Sequence, residues 1–121
     1  MQDDKLKTEI AKLRIIADYD AGRLKPAFHK KTTDYIRSQG LTYQLVIKEA
    51  VSHLDTCRYS RGPSPHHWKK DTEVYEFLEY IDSLDMYVKF SVNISSPDGG
   101  TQLESYHKAE KDADETWQNN N

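Results

Sequence analysis

The side chains with the clearest capacity for chemistry fall in the second half of the sequence. Tyr87 and Lys89 lie two residues apart in a run of alternating apolar and polar residues, so they project from the same face of a predicted strand. His107 ends the next predicted strand, which a hairpin turn brings beside the first. A phenol, an ammonium and an imidazole are therefore expected at one end of a polar sheet face. They could donate hydrogen bonds, attract an anion and exchange a proton near neutral pH.

The charge of the chain is distributed unevenly and indicates an anionic ligand. The 121 residues carry a net charge of -3. Residues 23–70 hold 10 basic and 3 acidic side chains, a net charge of +7, whereas residues 71–121 hold 3 basic and 12 acidic ones, a net charge of -9. A basic segment in an acidic protein is typical of a phosphate site. The alternative is that the segments mix in space and their charges average out.

Composition argues against several classes of protein. The single cysteine, Cys57, excludes an internal disulfide and a cysteine-rich zinc site, and we expect it to pack as a small apolar residue. His66 and His67 are adjacent and belong to no metal-binding motif, so no metal site is predicted. The acidic, polar N-terminus is not a signal peptide, and no apolar run is long enough to span a membrane. We expect a cytoplasmic protein without a membrane partner.

Three helices are predicted in the first half of the chain, over residues 4–21, 28–38 and 42–54. Apolar residues recur at three- and four-residue spacing in the first helix, and Thr42 is a natural N-cap for the third. Residues 57–70 are predicted to be a loop because two prolines and a glycine interrupt them. The apolar stripe expected of the first helix consists of Leu6, Ile10, Leu13 and Ala17.

Three antiparallel strands are predicted in the second half, over residues 74–81, 86–94 and 103–107. The middle strand alternates strictly between apolar and polar residues, which indicates one face packed on a core and one polar face. Helices followed by strands predict an α+β fold with the N-terminal helices packed on one face of a small antiparallel sheet. We expect one domain over residues 1–110, followed by an acidic polar tail, residues 111–121, that is frayed or disordered.

Four short motifs resemble those of one group of bacterial proteins. Residues 59–63 resemble a Y-x-[K/R]-G-P loop and residues 73–77 an E-[IV]-[WY]-x-F strand. Residues 87–90 resemble a Y-[IV]-K-[LF] strand and residues 105–107 an S-F-H ending. Motifs of this kind, in this order, are those of the MqsR-family toxins of type II toxin–antitoxin systems, within the RelE-like class. The resemblance covers about residues 5–110 and implies a RelE-like fold.

This resemblance implies a metal-independent endoribonuclease without a cofactor that acts on messenger RNA. In such an enzyme the RNA 2′-OH attacks the adjacent phosphorus and the 5′-oxygen leaves, so the protein must move protons and stabilise an anionic phosphorane. Arg61, at a position where the family usually carries lysine, is expected to clamp phosphate, and Lys89 supplies a second cation. Tyr87 would donate a hydrogen bond or stack on a base, and His107 would be the general acid or base.

The resemblance also implies partners, and it leaves alternatives. The expected partners are a cognate antitoxin, with which an oligomer forms, and messenger RNA, free or on the ribosome. A solvated polar sheet face is the simplest alternative for the tyrosine, lysine and histidine. Two alternative functions remain. One is a non-catalytic RNA- or protein-binding module of the same fold, and the other is a mobile-element inhibitor that uses the acids of residues 71–115 for charge mimicry. The residues expected to bind RNA are Arg58, Tyr59, Lys69 and Lys70.

Overall fold

A computed structural model describes residues 2–110 and 116–119 of the chain. The order of elements within these residues confirms the predicted α+β class, with the helices before most of the sheet. The three helices are α1 (Gln2–Asp20), α2 (Lys30–Gln39) and α3 (Tyr43–Ser52). The six strands are β1 (Lys25–Pro26), β2 (Tyr59–Pro65), β3 (Thr72–Ile81), β4 (Leu84–Asn93), β5 (Thr101–Lys108) and β6 (Gln118–Asn119).

The strands form one mixed sheet in the order β1-β5-β4-β3-β2-β6. The three predicted strands correspond to β3, β4 and β5, which pair antiparallel in the middle of the sheet. The sheet is wider than predicted, and it is mixed because the short β1 runs parallel to β5. The segment that follows β1 therefore passes along the edge of β5 before α2 begins.

The helices cover one face of the sheet and build the core there. Phe77 on β3 and Val88 and Phe90 on β4 are fully buried on that face. Ile15 and Leu54, from α1 and the end of α3, are buried in the same cluster. Burial of this apolar surface is the main term that holds helices and sheet together. The polar residues between the buried ones project from the opposite face, which carries the candidate site.

The prediction of a loop over residues 57–70 is wrong, because residues 59–65 form β2 and pair with β3. The strand can contain the two prolines because, in the described residues, β6 pairs with β2 only at Tyr59 and Ser60. The rest of β2 is a sheet edge, where the missing N–H of Pro63 or Pro65 leaves no ladder bond unmade. β2 thus carries part of the basic segment into the sheet.

The apolar stripe of α1 faces away from the core. Leu6, Ile10 and Leu13 are exposed at 60%, 56% and 68% of their surface, and Ala17 is exposed as well. The buried side of the helix carries polar residues among its apolar ones: Thr8, Ala11, Lys12, Ile15 and Asp18. The predicted helix is therefore confirmed. The apolar stripe that was expected to pack on the core is exposed instead.

The acidic tail was expected to be frayed or disordered. Residues 116–119 instead include β6, which pairs with β2, and residues 111–115, 120 and 121 lie outside the described residues. Cys57 is buried and free, as predicted for a small core residue, and burial raises the pKa of its thiol. Across residues 2–110 and 116–119, no helix combines the length and the apolar composition that crossing a membrane requires.

Candidate functional site

The four predicted catalytic residues project from one face of the sheet, opposite the helices. Arg61 is paired with Glu76, and Glu76 is paired in turn with Lys89. Tyr87 lies two residues before Lys89 on the same strand and is paired with His107 on β5. Side chains of paired residues on neighbouring strands share a face, so the structure brings these residues into two adjacent rows.

Arg61 and Tyr87 both bind the carboxylate of Glu76. Arg61 donates from Nε to Oε1 at 3.1 Å and from Nη2 to Oε2 at 2.8 Å, while the Tyr87 hydroxyl donates to Oε2 at 2.5 Å. Burial would raise the pKa of the Glu76 carboxyl, but these hydrogen bonds hold it below its usual value. Burial and the bond to Glu76 raise the pKa of Tyr87 above its usual range, so its hydroxyl keeps its proton and donates it to Glu76.

His107 lies beside Tyr87, with the two ring centroids 5.1 Å apart. Its Nδ1 lies 3.0 Å from the carbonyl oxygen of Lys108, so Nδ1 carries the proton of that hydrogen bond. Burial lowers the pKa of the His107 imidazole below its usual value, with further lowering from the charges of Lys31 and Lys89. The ring is therefore neutral at pH 7, with its Nε2 lone pair available.

The centre of this face is Glu104, a buried carboxylate that the sequence analysis did not single out. Lys89 is paired with Ser105 and Phe90 with Leu103, so Glu104 is an extra residue in β5 and forms a β-bulge. The bulge leaves Glu104 unpaired in the ladder with its carboxylate beside Lys89. The signal in the sequence is that two polar residues, rather than one, separate the buried Leu103 from the buried Tyr106.

Four nitrogen-bearing side chains surround the Glu104 carboxylate, whose side chain is only 3% exposed. Its Oε1 lies 3.2 Å from His29 Nε2 and 4.0 Å from Lys89 Nζ. Its Oε2 lies 3.2 Å from His66 Nε2 and 3.7 Å from Lys69 Nζ. Burial would raise the pKa of Glu104, but hydrogen bonds, including that of His29, and the nearby positive charges keep it below its usual value. Glu104 is therefore ionised and holds cationic and polar groups together.

His29, His66, Lys89 and the Glu104 carboxylate line a cleft of about 630 Å3 on the same face. Such a volume suits a nucleotide-sized ligand. Of the four predicted catalytic residues, Tyr87 and Lys89 line this cleft, whereas Arg61 and His107 lie beside it. The further lining residues with polar side chains include His29, His66, Glu76 and Glu104.

The aromatic and basic residues of the C-terminal segment and β2 meet at the margin of the cleft. The guanidinium of Arg61 lies 4.4 Å from the ring centroid of Trp117, and Arg61 Nη1 donates to Thr116 Oγ1 at 3.0 Å. The Trp117 ring is also edge-on to Tyr87, with centroids 6.4 Å apart. The tail thus contacts the predicted phosphate clamp, a contact that no sequence motif signalled.

The predicted RNA-binding residues are divided between two places. Arg58 forms an ion pair with Asp85, and Tyr59 lies in β2 opposite Leu78, so both are near the Tyr87 row. Lys69 and Lys70 follow β2 in the segment that forms one side of the cleft. Lys69 binds Gln102 and Glu104, and Lys70 is exposed. Lys69 alone of the four contacts the carboxylate at the cleft centre.

Within residues 2–110 and 116–119, no three His, Cys, Asp or Glu side chains are arranged to hold a metal ion. The two histidines at Glu104 approach different oxygens of one carboxylate, and their Nε2 atoms are engaged there. Comparison of the chain with protein-family models, with curated proteins and with solved structures finds no match.

Proposed function

We propose that this chain is the toxin of a type II toxin–antitoxin system, a metal-independent endoribonuclease that cleaves messenger RNA and so arrests translation and growth. The observation that supports it most is the cleft on the polar sheet face, where Lys89, Tyr87 and His29 lie around the buried carboxylate of Glu104 and the partly buried one of Glu76. The motifs that resemble those of the toxin family supply Tyr87, Lys89 and Glu76 in the cleft, and Arg61 and His107 beside it. The partners proposed with it are messenger RNA and a cognate antitoxin.

The chemistry requires cations fixed in place before the substrate arrives. Lys69 and Lys89 lie at the Glu104 carboxylate, and Arg61 lies on the Glu76 carboxylate. Each of these cations is held by a carboxylate, so each keeps its position before the substrate arrives. Preorganised charges of this kind stabilise the anionic phosphorane, because they need no reorganisation during the reaction.

Lys89 is the cation on which the proposal depends most. It lines the cleft and its side chain is only 23% exposed, so its ammonium is held where a phosphate in the cleft would contact it. Tyr87, next to it, can donate a hydrogen bond or offer its ring to a base, but it cannot take up a proton while Glu76 holds its hydroxyl.

The test is cleavage of a defined RNA by purified protein in EDTA, together with growth after induced expression. We expect cleavage that leaves a 2′,3′-cyclic phosphate, and growth arrest. Lys89→Ala should lose both, whereas Lys48→Ala, which removes an exposed lysine from α3, should keep both. Absence of RNA cleavage by the wild-type protein, or equal activity of a folded Lys89→Ala protein, would contradict the proposal.

A non-catalytic RNA-binding module of the same fold is the second candidate, and one observation favours it. Both Arg61 and Lys89 are paired with carboxylates, and Arg61 also stacks on Trp117, an arrangement that suits a surface on which bases stack. This candidate predicts RNA binding without cleavage products. Charge mimicry is less well supported, because Glu76, Glu79 and Glu104 of the acidic half are turned inward.

A further inference from the structure

The two histidines at Glu104 differ in which nitrogen they leave available. His66 Nδ1 lies 3.3 Å from the backbone nitrogen of Trp68 and 3.2 Å from that of Lys69. Backbone N–H groups only donate, so His66 Nδ1 accepts and its proton is on Nε2, directed at Glu104. Both nitrogens of His66 are occupied, and its side chain is only 5% exposed. His66 therefore holds Glu104 in place and has no nitrogen with which to take up a proton.

His29 has the same bond to Glu104 but leaves its second nitrogen available. Its Nε2 lies 3.2 Å from Glu104 Oε1, which as an ionised carboxylate oxygen can only accept. The proton of a neutral His29 is therefore on Nε2, and the lone pair is on Nδ1. No hydrogen bond to His29 Nδ1 is formed within the part of the chain that the structure describes. The side chain is 43% exposed and lines the cleft.

The backbone fixes the position of His29 as well. Its N–H donates to the carbonyl oxygen of Glu104 at 3.1 Å, so main chain and side chain bind the same residue. His29 is also the N-cap residue of α2, and its carbonyl oxygen accepts the N–H of Thr33 at 3.1 Å. An imidazole anchored at both ends in this way keeps its orientation while its free nitrogen faces solvent.

We propose that His29, oriented by Glu104, is the general base of the RNA cleavage reaction. The inference rests on the proposed function. A carboxylate that holds one imidazole nitrogen fixes the tautomer and stabilises the imidazolium that forms when the other nitrogen accepts a proton. The substrate is then a single-stranded RNA segment with its ribose 2′-OH at His29 Nδ1 and the adjacent phosphate at Lys89. Glu104 acts as a positioning residue, because it reaches the substrate only through His29.

The reaction balances with these two groups. The O–H bond of the 2′-hydroxyl breaks and its proton goes to His29 Nδ1, while the oxygen forms a bond to phosphorus. The bond from phosphorus to the 5′-oxygen breaks, and that oxygen leaves with the electron pair and takes a proton from the Lys89 ammonium. Water then carries the proton from His29 back to Lys89. Because both side chains lie at Oε1 of Glu104, base and acid are on adjacent sides of one carboxylate.

The closing experiment compares histidine variants of the full chain on one defined RNA in EDTA. His29→Ala should lose cleavage by about 10²–10⁴-fold, the usual range for a general base. RNA affinity should stay within about threefold of wild type, since the lysine and arginine side chains supply most of the phosphate attraction. Imidazole added to the buffer should restore part of the lost rate in His29→Ala. His53→Gln, on the helical side of the molecule, is the control and should cleave like wild type.

A modified substrate separates the base from the acid. An RNA with sulfur in place of the 5′-bridging oxygen has a leaving group that needs no proton, so it removes the need for an acid. On this substrate the defect of Lys89→Ala relative to wild type should shrink, because only its part in phosphate stabilisation remains. The defect of His29→Ala relative to wild type should persist. Restoration in His29→Ala would assign His29 to the acid and overturn the proposal.

Two further results decide the outcome. Correlation spectra that report the ring nitrogens should find His29 of the wild type protonated at Nε2 and bare at Nδ1, and the opposite tautomer would overturn the proposal irrespective of activity. Full cleavage by a folded His29→Ala protein, with loss in His107→Gln, would return proton transfer to His107. Wild-type protein that cleaves no RNA would overturn both this inference and the proposed function, whereas active His29→Ala overturns only the inference.

Discussion

Arg61 on β2 holds both carboxylate oxygens of Glu76 on β3, at 3.1 Å from Nε and 2.8 Å from Nη2. The guanidinium is thereby fixed in orientation before any ligand arrives. A bidentate bond between an arginine and a carboxylate is charge-assisted and geometrically specific. A lysine at the same position would have one point of charge and would lose the orientation.

Glu76→Gln should weaken the fold by about 1–2 kcal/mol at pH 7, because the amide offers Arg61 and Tyr87 only one accepting oxygen. The pH dependence has a definite sign. The pKa of Glu76 is lower in the folded protein than its ordinary value of 4.5, so its ionised form stabilises the fold above that pH. This stability is lost as the pH falls through the folded-state value.

Urea unfolding between pH 7 and pH 3 measures this effect. The wild type should lose stability toward the acid end, and Glu76→Gln should show a flatter profile. Asp55→Asn is the control, because Asp55 is an exposed residue in the segment between α3 and β2. Identical pH profiles for wild type and Glu76→Gln would show that the ion pair has no net effect on stability.

The two sides of α1 should respond differently to the loss of a side chain. Ile15 is fully buried in the core, so Ile15→Ala should cost about 2–5 kcal/mol of unfolding free energy. Leu13 is 68% exposed, and Leu13→Ala should change stability by no more than about 0.5 kcal/mol. Both substitutions lie on the same helix, so helix propensity cancels approximately. Thermal unfolding of the pair checks the result, and a larger loss for Leu13→Ala would contradict the burial.

The same helix marks where sequence reasoning succeeds and where it does not. Periodicity predicted α1, and alternation predicted β4, because both follow from local geometry. The buried face of α1 depends on partners far along the chain: Asp18 accepts from Thr101 Oγ1 at 2.5 Å and from the Gly99 N–H at 3.1 Å. No local pattern shows that a carboxylate has such partners. The apolar stripe of α1 was therefore predicted to be its buried face.

The candidate site divides in the same way. Tyr87, Lys89 and His107 were predicted to share a face because strand alternation and a hairpin are local features. His29 and Glu104 were missed because their contact joins residues 75 positions apart and depends on a bulge. No sequence motif distinguishes a histidine that is an N-cap or a glutamate in an irregular strand. The spacing of Leu103 and Tyr106 is the local feature that indicates the bulge.

Gly62 should tolerate no side chain, whereas Gly22 should tolerate a small one at modest cost. A Cβ on Gly62 would lie 2.6 Å from the carbonyl oxygen of Val74, and its φ is +124°. Gly22 has a φ of +73°, and a Cβ there would meet no atom within 4 Å. Gly62→Ala should therefore cost well over the roughly 1–2 kcal/mol of left-handed strain expected for Gly22→Ala. Chemical denaturation of the two variants tests this, and equal losses would contradict the close approach of β2 to β3.

Glu79 is a carboxyl whose pH effect should have the opposite sign to that of Glu76. Its side chain is fully buried on the core face of β3, and neither oxygen has a hydrogen-bond partner within the described residues. Burial raises the pKa of Glu79 well above its ordinary value of 4.5, more than the charge of Lys12 lowers it. The group is therefore protonated in the fold at pH values where it ionises in the unfolded chain, and stability falls as the pH rises above about 4.5.

Glu79→Gln removes this loss because an amide of nearly the same shape does not ionise. We expect the variant to be more stable than wild type at pH 8, by about 1.4 kcal/mol for each pKa unit between the folded and unfolded chains, and the advantage should vanish near pH 4. Glu110→Gln, at an exposed position, is the control and should stay within about 0.5 kcal/mol of wild type throughout. Urea unfolding at pH 4, 6 and 8 measures all three proteins. A Glu79→Gln protein that is less stable than wild type at pH 8 would mean that the carboxylate is ionised in the core and that Lys12 stabilises it there.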